Sequence, residues 1–113
     1  MEFKEYQKLS RRTASYPNIG KKEEDKFLYP VLGLLGESGE VAEKIKKLFR
    51  DEEGVLNQER KESVKKELGD VLWYLTQIAT ELNLDLEDIA KENIDKLYSR
   101  LERGKLKGEG DER

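Results

Sequence analysis

The sequence contains no cysteine and no histidine, and its two prolines both lie within the first thirty residues. Without cysteine the chain can form neither disulfides nor thiolate metal sites. Without histidine, acid–base or metal chemistry must fall to carboxylates, lysines, tyrosines or water. No apolar run reaches the roughly 18 residues of a membrane-spanning helix, and no secretory signal begins the sequence, so we expect a cytoplasmic protein without a membrane partner.

Charged residues are abundant and nearly balanced. Lysine and arginine number 22 and the acidic residues 25, giving a net charge of -3, and there is no basic stretch. This balance argues against a nucleic-acid partner. Only 35% of the residues are hydrophobic, so the core of a monomer would be thin. We therefore expect burial between subunits, in a homodimer or a homotetramer.

Helix-forming residues dominate and no alternating β-type segment is present, which predicts an all-α fold. The 113 residues suffice for one domain, an antiparallel helical bundle of about four helices per chain, assembled as an oligomer. The expected parts are an N-terminal helix at 1–15, core helices within about 27–103 (ending near 50, 82 and 103), and a flexible tail at 104–113.

Two of the expected helices each carry a pair of acids three positions apart at the edge of the apolar face. The pairs are Glu37 with Glu40 and Glu67 with Asp70. Residues at i and i+3 are neighbours on a helix, so two packed helices could present four carboxylates to one point. Such a group resists desolvation unless cations lie between its members, and Mg²⁺ is the natural candidate. By contrast, Glu43 should face solvent.

An ordinary explanation of these pairs is also available. Charge-rich helices often carry acids at this spacing by chance, solvated or paired with lysines. Glycines beside the acids favour a functional interpretation, because a glycine within a helix costs roughly 1 kcal/mol relative to alanine. They indicate close helix approach or room for a ligand, although packing alone could explain them; they are Gly33, Gly36, Gly39 and Gly69.

The segments LGLLGESGEVAEKIKK, KKELGDVLWYL and EDIAKENIDKLYSR resemble the MazG-like nucleoside triphosphate pyrophosphohydrolases of the all-α NTP pyrophosphatase superfamily. The resemblance implies that Mg²⁺, replaceable by Mn²⁺, is held by Glu37, Glu40, Glu67 and Asp70. It also implies hydrolysis of (d)NTP to (d)NMP and pyrophosphate, as in the removal of non-standard nucleotides. We expect Glu37 or Glu40 to activate the attacking water. The alternatives are a non-catalytic metal-binding or regulatory bundle and a superfamily relative with a dedicated nucleotide substrate.

The fourth helix carries Asn93 within an apolar arc, followed by Lys96 and Arg100 on the same side. These three residues form a candidate triphosphate clamp, since their side chains can donate hydrogen bonds to phosphate oxygens. The alternative is a buried asparagine bonded within the bundle, beside two cations that pair with acids. Trp73 is expected at a subunit interface or in a base pocket. No role is expected for the lysines that follow the first acid pair, Lys44, Lys46 and Lys47.

Overall fold

The computed structural model describes residues 1–104 and Gly110, and this part of the chain is helical without any β-strand. The all-α, four-helix prediction is confirmed for these residues. Of the tail expected to be flexible, all but Gly104 and Gly110 lies outside the described residues. The helices are α1 (Phe3–Ser10), α2 (Leu28–Asp51), α3 (Gln58–Glu81) and α4 (Leu86–Glu102), with 3₁₀ turns at Arg11–Thr13 and Glu23–Phe27.

The two longest helices, α2 and α3, pack against each other as an antiparallel hairpin. Near the start of α2, Gly33 lies against the ring of Tyr74. About three turns after Gly33 on α2, Lys44 donates a hydrogen bond to Ser63. Ser63 lies about three turns before Tyr74 on α3. The antiparallel arrangement predicted from sequence is therefore present in this pair. It brings the middle of α2 opposite the middle of α3, where the two acid pairs lie.

A tight turn fixes the register of this hairpin. Glu53 and Gly54 adopt positive φ angles of 55° and 78°, which reverse the chain at the end of α2. On the far side of the turn, the Asn57 side chain accepts a hydrogen bond from the Arg60 amide at 2.9 Å and caps α3. The Arg60 guanidinium also binds Glu52 at 2.6 Å. These contacts hold the end of α2 next to the start of α3.

The short helix α1 is attached to the end of the hairpin by the side chain of Gln7. Its amide nitrogen donates to the Thr80 hydroxyl at 3.0 Å and to the Leu84 carbonyl at 2.9 Å. Its amide oxygen accepts from the backbone N–H of Leu86 at 2.9 Å, at the first residue of α4. One glutamine therefore joins α1, α3 and α4, and it satisfies an otherwise unpaired donor at a helix start.

The α4 helix leaves apolar side chains exposed. Ile94, Tyr98 and Leu101 are 47%, 62% and 60% exposed. These three residues lie at helical spacing, so in a single chain they form an apolar strip in contact with solvent.

Candidate active site

Three carboxylates come together across the α2–α3 hairpin. Glu37 projects from α2, and Glu67 and Asp70 project from the facing turns of α3. One carboxylate oxygen of each lies within 4.8 Å of those of the other two. We call these three residues the acidic cluster. Their meeting follows from the helical spacing of Glu67 and Asp70 and from the antiparallel register that carries Glu37 opposite them.

The fourth acid expected at this point, Glu40, is exposed and is not a member of the acidic cluster. It lies one turn after Glu37 on α2, and its negative charge is close enough to contribute to the raised pKa of Glu37. The side chain borders the cluster from the solvent side.

Burial, a hydrogen bond to Glu67, and the negative charges of Asp70, Glu67 and Glu40 together raise the pKa of Glu37. Each of these factors disfavours the ionised form of Glu37. A cation among the carboxylates would remove this conflict. The donors are all carboxylate oxygens, which are hard ligands that suit Mg²⁺ or Mn²⁺ and not a soft thiolate-seeking metal. The cluster therefore fits a hard divalent ion.

Lys44 lies at the edge of the acidic cluster, a position that was not predicted from the sequence. Its ammonium nitrogen is 3.4 Å from a carboxylate oxygen of Glu67, and it donates a hydrogen bond to the Ser63 hydroxyl. A signal for this position was present, because two helical turns separate Lys44 from Glu37 and return it to nearly the same face. No role was expected for Lys44 from the sequence, but its side chain lies beside Glu67 and Ser63.

The neighbouring lysines behave as expected. Lys46 and Lys47 lie 2.9 Å and 3.9 Å from carboxylate oxygens of Glu43. The hydrogen bond from Lys46 is the main cause of a lowered pKa at Glu43, which is the opposite of the shift at Glu37. Glu43 therefore lies outside the acidic cluster and provides a matched control for its members.

An aromatic groove of about 340 Å³ lies next to the acidic cluster, on the side away from Lys44. The rings of Tyr16 and Tyr29 are parallel with centroids 5.7 Å apart, and Trp73 meets Tyr74 edge to face at 5.1 Å. The Trp73 indole N–H donates to the Thr13 hydroxyl at 3.0 Å. The groove is lined by Thr13, Ser15, Tyr16, Pro17, Tyr29, Trp73 and Tyr74.

Tyr74 connects this aromatic groove to the acidic cluster. Its ring occupies the space left by Gly33, where a Cβ atom would lie 2.2 Å from the nearest ring carbon. Burial first, and then the charges of Tyr29, Glu37 and Asp70, raise the pKa of the Tyr74 hydroxyl. The groove and the cluster are therefore adjacent. Of the two positions expected for Trp73, a pocket position agrees with its contacts within the chain.

Tyr16 is held in the groove by polar contacts to α3. Its hydroxyl hydrogen-bonds to Glu81, and Arg11 binds the same carboxylate at 3.0 Å. Burial and then the bond to Glu81 raise the pKa of Tyr16 to about 12. The phenol therefore stays neutral at physiological pH, which favours an aromatic surface without charge.

The residues of the candidate triphosphate clamp lie on α4, outside the α2–α3 hairpin that carries the acidic cluster. Asn93 lies within the apolar arc expected from the sequence, but it is exposed, so a buried asparagine is wrong for the single chain. Asn93 and Lys96 line a groove of about 310 Å³ with Ile89 and Glu92, and no member of the acidic cluster lines it. Arg100 is buried and donates to the Gly110 carbonyl at 3.3 Å. Asn93 and Lys96 thus share one groove on α4, whereas Arg100 does not line it.

Residues 28–104 match the family model described as the MazG nucleotide pyrophosphohydrolase domain, and this range contains the whole acidic cluster. The chain belongs to the MazG nucleotide pyrophosphohydrolase family. The MazG chain is also 43% identical over 109 residues to the Gene 37 protein of Mycobacterium phage L5, covering 96% of each protein. That name assigns no activity. No solved structure gave a significant match.

The MazG match begins at the start of α2, so it excludes α1 and the loop that supplies Thr13 and Tyr16 to the aromatic groove. The acidic cluster thus lies in the shared part of the domain, and part of the groove lies outside it. Among the described residues, no helix is both long and apolar enough to cross a membrane.

Proposed function

We propose that this MazG protein hydrolyses nucleoside triphosphates, (d)NTP, to (d)NMP and pyrophosphate with Mg²⁺, for which Mn²⁺ can substitute. The observation that carries the proposal is the acidic cluster: carboxylate oxygens of Glu37, Glu67 and Asp70 within 4.8 Å of one another, inside the matched range. Three acids held this close at a cost to the ionisation of Glu37 favour a cation-binding role over incidental surface charge. Substrate phosphates are the expected anionic partners of such a site.

In this proposal the four predicted ligands hold the divalent ion, with Glu40 turning in from its exposed position to join the cluster. The ion would supply neutralisation of phosphate charge and a lowered pKa for a nearby water. Glu37 or Glu40 orients that water toward the α-phosphorus and accepts its proton, because no histidine is available. Both residues lie on the α2 side of the cluster, opposite Glu67 and Asp70.

The aromatic groove is proposed as the site of the nucleobase. Its rings offer stacking surfaces to any base, and Tyr74 places it directly beside the acids. A nucleotide could thus place its base on the groove and its phosphates on the cluster without leaving the α2–α3 hairpin. Adding or removing groove rings should change the base preference more than the rate of the chemical step.

We further propose that the protein acts as a homodimer or homotetramer. The exposed apolar side chains of α4, Ile94, Tyr98 and Leu101, support this, because apolar surface patches mark sites of protein–protein contact. The triphosphate clamp of Asn93, Lys96 and Arg100 would then approach the acidic cluster of a neighbouring subunit. The groove that Asn93 and Lys96 line within one chain, apart from the acidic cluster, is consistent with that arrangement.

The test is product analysis. The protein is incubated with a panel of ribo- and deoxynucleoside triphosphates, with Mg²⁺ and with a chelator, and the products are separated by anion exchange. Equal amounts of monophosphate and pyrophosphate, formed only with the metal, are expected. Release of orthophosphate and nucleoside diphosphate would contradict the proposed bond cleavage. Mg²⁺ binding without turnover of any nucleotide would favour the non-catalytic bundle.

A further inference from the structure

The α2–α3 hairpin carries three features in a row. The aromatic groove begins near Gly33, the acidic cluster follows at Glu37, and Lys44 lies beyond it on nearly the same face. At 1.5 Å of rise per residue, these positions on α2 are separated by about 6 Å and about 10 Å. A nucleotide laid along this row with its base on the groove would extend its phosphates past the acids toward the lysine.

We propose that Lys44 binds the terminal phosphates of the nucleotide, the part that leaves as pyrophosphate. This inference rests on the proposed function and names a contact that the sequence pattern did not assign. An ammonium group has three N–H donors. The hydrogen bond to Ser63 uses one of them, and Glu67 lies 3.4 Å away as an ion-pair partner. The side chain is 28% exposed, so a further donor can reach a phosphate oxygen.

The arrangement around Lys44 differs from that of an ordinary surface lysine. Ser63 and Glu67 hold its ammonium on the α3 side of the hairpin, next to the cluster. Lys46, two positions later, has a side chain that is 62% exposed and pairs with Glu43 instead. The ion pair also gives Lys44 a second effect: its positive charge opposes the binding of a bare divalent cation at Glu67.

The proposal therefore predicts opposite effects on two ligands. A charged hydrogen bond to pyrophosphate is lost in Lys44→Met, so we expect the affinity for Mn²⁺-pyrophosphate to fall about tenfold or more. Affinity for Mn²⁺ alone should rise, because a competing positive charge has been removed. Affinity for nucleoside monophosphate should stay within about twofold of the wild type, because that product lies on the groove side of the acids.

The experiment measures these affinities by isothermal titration calorimetry on the wild-type protein, Lys44→Met, Lys44→Arg and the control Lys46→Met. Inhibition of turnover by pyrophosphate and by monophosphate is measured in parallel. Lys44→Arg should keep most of the pyrophosphate affinity, since its guanidinium also donates to phosphate, and Lys46→Met should match the wild type. Circular dichroism melting of each variant shows whether it is folded.

Either of two results from calorimetry on the variant would overturn the assignment of Lys44. One is unchanged pyrophosphate affinity in a folded Lys44→Met protein. The other is an equal loss of pyrophosphate and monophosphate affinity, which would indicate a structural role. A wild-type protein that turns over nucleotide while Lys44→Met matches it would refute the lysine contact alone. A wild-type protein that binds neither product would refute the proposed function and this contact together.

Discussion

Glu37 on α2 and Glu67 on α3 bring one carboxylate oxygen of each within 4.8 Å of the other across the helix interface. Two negative charges this close disfavour each other's ionised form. Burial and the neighbouring carboxylates accordingly raise the pKa of Glu37 above its ordinary value. Glu37 and Glu67 therefore affect both the stability of the hairpin and its ability to bind a cation.

Glu37→Gln should raise the stability of the metal-free protein at neutral pH. The pKa of Glu37 is raised above 4.5 in the folded state. Its ionised form therefore destabilises the fold above the folded pKa, and the effect disappears below the unfolded pKa. Thermal unfolding with chelator should show a higher Tm for the variant at neutral pH and equal values near the unfolded pKa. An unchanged or lower Tm at neutral pH would contradict the raised pKa.

Glu43→Gln provides a control of opposite sign. The pKa of Glu43 is lowered, chiefly by Lys46, so its ionised form stabilises the fold above the unfolded pKa, and this contribution is lost as pH falls. The variant should therefore be slightly less stable than the wild type at neutral pH. Because the Glu43 side chain is 42% exposed, the difference should shrink with added salt.

Gly33→Ala should destabilise the hairpin. The new Cβ atom would lie 2.2 Å from a ring carbon of Tyr74, so the tyrosine must move. We expect a loss of about 1–3 kcal/mol in the free energy of unfolding, measured by urea denaturation. The matched control is Gly36→Ala, whose Cβ meets nothing within 4 Å in the chain. It should gain up to about 1 kcal/mol from helix propensity. Equal effects of both substitutions would contradict the Gly33–Tyr74 contact.

Gln7→Ala should loosen the attachment of α1. The substitution removes hydrogen bonds to Thr80, Leu84 and Leu86. At roughly 1 kcal/mol each, the expected loss is about 2–3 kcal/mol in the free energy of unfolding. Gln58→Ala removes one exposed bond to Glu62 and should cost under about 0.5 kcal/mol. A similar small loss for both glutamines would show that Gln7 does not join the helices.

The exposed face of α4 provides a test of assembly. Sedimentation of the wild-type protein should give a dimer or a tetramer. Replacement of Ile94 and Leu101 by glutamate, at positions that are 47% and 60% exposed in the single chain, should shift the protein toward monomer. Lys91→Ala on the same helix, where only a surface ion pair to Asp95 is lost, should sediment like the wild type. A monomeric wild-type protein would contradict the oligomer proposal.

Helical periodicity predicted the four helices and the placement of Glu67 beside Asp70, because both depend on local spacing. The meeting of Glu37 with these two acids depends in addition on the antiparallel packing of α2 against α3. Periodicity placed Glu43 with solvent because that too depends on local spacing. It failed for Asn93, since a helical pattern shows which residues share a face but not whether another element covers that face. Lys44 was missed because its partner Ser63 lies on another helix, and only the register of the hairpin brings them together.

The aromatic groove was harder to predict from the sequence than the acidic cluster. Trp73 was expected in a pocket or at an interface, but its bond to Thr13 joins residues sixty positions apart. The loop before α2 shows no periodicity from which its path could be inferred. The carboxylate of Glu81, which holds Tyr16 in the groove, also falls outside any motif near the acids.

The central claim is that the acidic cluster hydrolyses nucleotides, and pyrophosphate release by wild type, Glu67→Gln and Glu43→Gln under saturating Mg²⁺ tests it most directly. The two substitutions remove the same charge from the same hairpin, one inside the cluster and one outside it. We expect Glu67→Gln to lose at least about 100-fold in kcat/KM, or about 2.7 kcal/mol of transition-state stabilisation. Glu43→Gln should stay within about twofold of the wild type. Similar activity in all three proteins would contradict the account.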